Sequence, residues 1–429
     1  MRQKLELLSL SGILLFVGTG LYNQLPSVAY IPVLCACALL LFDKRFLRNP
    51  LQYIEPNILN GFVLFNTFLL IQIAFGQLEL HEYFFQFFAL SLMVLTYALA
   101  KLILYRKQGV EFGLFKYLGI VVLLGLLLLL AGQIAQIMGY LKQVNYEGAE
   151  SEVLVTLARP GGFLNPNATA AIAIVFLLTL DRLSNVIGKR LFMIALPLAI
   201  TVVLLTQSRG SLIALLGYLL IILSKRSLRH TVSTLLMVSV FVYFMLIAYP
   251  DMVISLIDNV MQRFEGDASS YERQYVLHYS FDIFANSPLF GNGSTYLVSK
   301  LGVSSHNQLV EILVSYGLVG LLVLTPAFLL LYFPISALMF AFCVLPMFLF
   351  SHNFFDSVSY QVALGLLLVI DRMISSAAFP APMTNVSHRK LKSNLSPAFR
   401  RVDLGGEGFA SPSLRTLKPR PSGRGGAKE

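Results

Sequence analysis

The stretch SSHNQLVEILVSYGLVG (residues 304–320) puts His306 and Asn307 at the start of an apolar run that also carries Gly317 and Gly320. A neutral imidazole can take a proton from a hydroxyl near neutral pH. A lone histidine at a helix start is more often structural, so its chemistry depends on its company. That company is arginine: Arg159 in ARPGGFLNPN (158–167), Arg209 in TQSRG (206–210) and Arg273 in the segment SSYERQYVLHY. Guanidinium pairs bidentately with phosphate and is always charged. The set describes transfer from a lipid pyrophosphate to an alcohol. His306 accepts the hydroxyl proton, and the arginines stabilise charge on the departing pyrophosphate. No aspartate-rich metal motif accompanies these residues, so neither a metal nor another cofactor is expected.

The neighbours of these residues predict how they are held. Pro160, Gly161, Gly162 and Pro166 force an irregular backbone into a helix start, which suits an anion; a plain turn is the alternative. Arg209 and Gly210 interrupt an apolar stretch from Leu191 to Leu223. An arginine near membrane depth needs a polar cavity or a partner. Residues 271–285 have helical spacing, with Tyr271, Tyr275, Leu277 and Phe281 available for an apolar face. Such a helix would lie on the membrane surface or cap a cavity. Arg273 follows Glu272, and adjacent residues on a helix do not face each other. SPLFGNG then ends the helix, with Gly291 and Gly293 allowing a tight turn. Gly317 and Gly320 are expected on one helical face, permitting close helix approach. Asn307 is placed to cap that helix. Arg263 reads as a solvated charge beside Glu265; His352 and Asp356 in SHNFFDS (351–357) could join the site, but as part of one short hairpin they read as interfacial residues.

The elements that must position this set are membrane spans. Of 429 residues, 56% are hydrophobic and 13% charged, whereas a soluble domain has about 25% charged residues. Mean hydropathy is +0.73, and the apolar residues fall in blocks of spanning length. The reading is an all-α polytopic membrane protein of about twelve spans. The basic connections DKRFLR, YRKQ, DRLSNVIGKR and SKRSLRH all fall on one side, which is therefore inside. The arginine and histidine motifs then lie outside, with one large outer loop over about 250–305. The net charge of +10 follows this topological bias, so no nucleic-acid partner is expected. Cys35, Cys37 and Cys343 lie in apolar blocks and suggest no disulfide framework. A membrane-embedded catalytic domain is expected over 1–374. The Pro-, Ser-, Gly- and Arg-rich remainder, 375–429, is expected to be a disordered basic cytoplasmic tail.

With its nine-residue spacer, His306–Asn307 to Gly317-x-x-Gly320 resembles the pattern of the bacterial O-antigen ligases. Their superfamily also holds O-antigen polymerases and protein O-oligosaccharyltransferases. The SRG at 208–210, the RPGGFLNPN loop and the SPLFGNG turn resemble it too, over roughly residues 155–330. The resemblance implies a GT-C-like helical fold in the bacterial inner membrane, with the active site and the large loop periplasmic. It implies an undecaprenyl-diphosphate-linked donor and a metal-independent, inverting transfer. It makes His306 the base, or the residue that orients the acceptor, and assigns Arg159 and Arg273 to the pyrophosphate. Arg209 binds ligand or supports the site, and Asn307, Gly317 and Gly320 are supporting residues. The acceptor would be lipid A–core for a ligase, or a lipid-linked glycan for a polymerase. A protein acceptor ranks last, because those members usually carry an extra periplasmic C-terminal region. A transporter of the same lipid-linked substrate is the alternative from another class.

Overall fold

A computed structural model describes residues 2–104, 112–141, 160–225, 268–302, 305, 307–332, 334–351 and 354–376, with a few isolated positions between 236 and 247. Described residues form helices and turns, with no strand among them. Among the described residues, six helices are long and apolar enough to cross a membrane: α4 (Pro56–Ala74), α5 (Leu80–Leu104), α6 (Phe112–Ile137), α7 (Pro166–Ile187), α12 (Gln308–Tyr332) and α14 (Val358–Ser376). Shorter helices are α1 (Arg2–Gly12, extended by a π turn to Val17), α2 (Pro26–Leu41), α3 (Lys44–Arg48), α8 (Arg190–Thr206), α9 (Arg209–Lys225) and α13 (Ala337–Leu349). Two more, α10 (Ala268–Asn286) and α11 (Tyr296–Leu301), occupy the region read as the large outer loop. The chain is thus a multi-pass membrane protein. The expected span near 232–249 and the tail from residue 377 lie almost wholly outside the described residues.

Helix boundaries follow local chemistry. Pro26, Pro56 and Pro166 occupy first-turn positions, where a missing N–H costs nothing. Asn165 caps α7 by accepting from the Asn167 N–H at 2.7 Å. From Ala168 to Leu180 every residue of α7 is buried, which makes it the central helix. It packs against α6, α8 and α14, while α14 also packs on α5, and α4 on α12. A side chain on Gly61 would meet the Ala327 carbonyl oxygen at 2.9 Å, so this glycine lets α4 approach α12 closely.

Two segments read as inner connections prove to be helical. DRLSNVI continues α7 to Ile187, and Asp371–Arg372 lies within α14. The reason is a buried ion pair. Arg182 Nε lies 2.5 Å from Asp371 Oδ1, Arg182 also donates to Ser336 Oγ, and the Ser336 N–H donates to Asp371 Oδ2 at 2.7 Å. A second pairing ties Arg2 to Asp43 (2.7 Å) and Glu6 (3.1 Å), both carboxylates being buried. Breaking one side of a buried pair leaves an uncompensated charge. Arg182→Met is therefore expected to cost about 3–5 kcal/mol. Adding Asp371→Leu should recover much of that loss, as read from thermal melting in detergent.

Candidate active site

The mouth of α12 is built by a main-chain exchange. Gly317 breaks the helix with φ 64° and ψ −161°, a conformation open essentially to glycine alone. The break frees backbone groups at 314–319, and the SPLFGNG turn satisfies them. Asn292 N–H donates to the Val314 carbonyl at 2.8 Å and Gly293 N–H to Ser315 at 3.0 Å. In return, Leu318 N–H donates to Pro288 at 2.9 Å and Val319 N–H to Leu289 at 3.0 Å. A side chain on Gly317 would meet the Leu289 carbonyl oxygen at 2.4 Å, and one on Gly291 the Ser315 carbonyl oxygen at 2.3 Å. This corrects the expectation that Gly317 and Gly320 share one helical face for helix packing. Gly317 ends one helical segment and starts the next, while Gly320 sits against Tyr316 and Phe68.

The same turn reaches α5. Ser294 N–H donates to the Gln77 carbonyl at 2.9 Å, and Ser294 Oγ donates to Glu82 Oε2 at 2.5 Å. Behind it, α10 packs Val276 and Ile283 on Val310, Val314 and Leu297. The aromatic face expected to be apolar, with Tyr275 and Phe281, is exposed.

Residues on either side of His306 are pinned. Asn307 Oδ1 accepts from the Leu309 and Val310 N–H groups at 2.9 and 3.2 Å, capping α12. Ser305 Oγ donates to Glu311 Oε2 at 2.8 Å. His306 itself lies outside the described residues, as do Arg159, Arg263 and His352, and the side chain of Arg273. Arg209 stands at the start of α9, just after Gln207, whose φ of 51° makes the turn from α8. The loop that carries Arg159 is firmly held at 160–166. Gln133 donates to the carbonyls of Pro160 (2.9 Å) and Val202 (3.1 Å), Gln136 accepts from the Gly162 N–H (2.6 Å), and Thr169 donates to Gly161 (2.6 Å).

Beside the α12 mouth lies a cavity of about 320 Å³. Its wall carries Glu82, Glu311, Asp356, Gln308 and Ser315, with Phe85, Ile312 and Phe355 among its apolar members. Sequence reasoning missed these acids. Glu311, a carboxylate inside an apolar span, was a usable signal, because such a group is costly without a role. Of the two readings open for Asp356, interfacial hairpin residue or member of the site, its place in the cavity wall favours the second. Its position follows from its neighbours. Phe354 is buried among Phe328, Tyr332, Phe348 and Tyr360; its N–H donates to Gln308 Oε1 (3.0 Å), and its carbonyl accepts from Gln361 (2.8 Å).

Asp356 is open on its cavity side and crowded by protein elsewhere. That desolvation, then the charges of Glu82 and Glu311, push its carboxyl up to about 7 from 3.8. The folded protein thus binds more protons than the unfolded chain between these values. Its stability contribution is complete below 3.8 and is lost as pH rises through about 7. Asp356→Asn should flatten the fall in melting temperature between about pH 5 and about pH 8. An unchanged slope would mean that the carboxyl titrates as in water. Separately, Gly317→Ala should destabilise by at least about 1–3 kcal/mol from backbone strain alone, visible as a lower melting temperature.

Residues 193–325 match the O-antigen ligase family model. The match covers less than half of the chain and supports a relationship to the O-antigen ligase superfamily. It spans Arg209, Arg273, His306, Gly317, Gly320 and the whole SPLFGNG exchange, while Arg159 precedes it. No curated protein matches the chain in the sequence comparison.

Proposed function

We propose that this protein is a membrane glycosyltransferase. It transfers a glycan from undecaprenyl diphosphate to an acceptor hydroxyl at the periplasmic face of the bacterial inner membrane, joining O-antigen to lipid A–core. One observation carries this reading: the family match covers the segment in which the SPLFGNG turn clasps the α12 mouth, where Ser305 and Asn307, the chain neighbours of His306, are pinned and a cavity opens alongside.

In this reading His306 takes the proton of the acceptor hydroxyl as its oxygen bonds to the anomeric carbon. The bond from that carbon to the pyrophosphate oxygen breaks, the configuration inverts, and undecaprenyl diphosphate leaves. Arg159, Arg209 and Arg273 balance the charge of the leaving group. Asn307, Gly317 and Gly320 support the base. The nine-residue spacer from Asn307 to Gly317 favours ligation; joining one lipid-linked repeat unit to another is the second reading of the same chemistry.

His306→Ala should cut transfer by about 10²–10⁴-fold while the protein inserts and melts normally. Glycan attachment at the wild-type level would overturn the catalytic role. Gene deletion separates the acceptors on a polysaccharide gel. Free lipid-linked polymer beside bare core indicates ligation, and core bearing a single repeat unit indicates polymerisation.

A further inference from the structure

The cavity beside the α12 mouth has the wrong charge for the pyrophosphate. Its polar wall is dominated by the carboxyl groups of Glu82, Glu311 and Asp356, with His81 and Gln86 beside them. Like charges disfavour an anion there. Among the described residues no three His, Cys, Asp or Glu side chains are grouped closely enough to hold a metal ion, so the acids are spread around the wall. One further polar group faces the space without a partner. Ser315 is only 2% exposed, lines the cavity, and its Oγ has no hydrogen-bond partner within the described structure. A buried hydroxyl left in that state costs free energy, which a ligand group can recover. Phe85, Phe355 and Ile312 add an apolar surface to the same wall. Gln308 has its Oε1 engaged by Phe354, so its amide N–H groups are what it can offer.

We propose that this cavity seats the terminal sugar of the acceptor as an unphosphorylated ring. Its hydroxyls donate to Glu82 and Glu311, exchange hydrogen bonds with the Asp356 carboxyl and bond to Ser315, while a C–H face lies on the aromatic wall. Three observations converge on this occupant. Dispersed acceptors suit many donating hydroxyls rather than one cation. The volume, near the lower limit of about 300–1,000 Å³ for ligand pockets, holds a terminal sugar and not a whole oligosaccharide. Glu311 holds Ser305, the residue before His306, so the cavity wall is tied directly to the chain segment that carries the proposed base. The donor sugar fits less well, because it carries the pyrophosphate into a field of carboxylates. The acids thereby act as a specificity filter against phosphorylated acceptor rings. This inference rests on the transferase reading, and its test is chosen to be separable from it.

The chain contains no tryptophan, so Phe85→Trp gives a single fluorescent reporter on the cavity wall. Purified full-length reporter protein is titrated with methyl hexosides, methyl hexosaminides and hexose 6-phosphates. Neutral and amino sugars should shift the emission saturably, and the phosphates should not. Ser315→Ala should weaken the methyl glycosides several-fold. Glu82→Gln with Asp356→Asn should weaken them also, and should admit the phosphates. Equal binding of phosphorylated and neutral sugars to the unsubstituted cavity, or unchanged affinity in Ser315→Ala, overturns the proposal. Glycan transfer that requires His306, with no saturable sugar signal, overturns this site and leaves the transferase standing. Saturable sugar binding without any transfer does the reverse.

Discussion

The outer architecture depends on a helix that stops being a helix for one residue. At Gly317 the backbone adopts a conformation that strands donors and acceptors in the upper part of α12. Buried backbone groups must be paired, and far from bulk water the demand is stricter. The SPLFGNG turn meets it with four main-chain bonds running in both directions. Everything at the mouth hangs from that exchange. The turn carries Ser294 to Glu82, α10 packs behind it on Val310 and Val314, and the capped start of α12 sets the residues that flank His306.

Two kinds of polar group occupy the apolar body, and they do different work. Arg182 pairs with Asp371 and both bond Ser336, and Arg2 pairs with Glu6 and Asp43; these groups lock helices together. The Glu82, Glu311, Asp356 and Ser315 group is not closed in this way. It opens onto a cavity, and Ser315 has its bonding capacity unspent within the described structure. A closed network stabilises, whereas an open one invites a ligand, and this contrast separates the scaffold from the site.

Much of this was readable from residue order, and the failures have definite causes. Apolar blocks gave the long helices because burial and hydropathy act locally along the chain. The cap at Asn307 and the proline helix starts were readable for the same reason. That the charged segments at Asp181–Arg182 and Asp371 are helical was not legible. Charge was taken to mean solvent, and the pairing that buries it joins residues far apart in sequence. The glycine pair was read by helical periodicity, which cannot anticipate a positive φ at Gly317 imposed by a partner loop. Asp356 was passed over because its hairpin is short. What aims it is Phe354, set in an aromatic cluster drawn from three other segments.

The clasp at Gly317 is made by main-chain atoms, with the Asn292 side-chain amide adding a bond to the Val314 carbonyl. Leu289 and Phe290, inside the turn, keep their side chains exposed while their backbone is committed. Structural duty and side-chain identity are therefore uncoupled at the rim of the site. Substitutions at 289 and 290 can accumulate without loosening the mouth, provided the glycines stay. The scaffold thus has a place where the rim of the α12 mouth can diversify while the positions around it are kept.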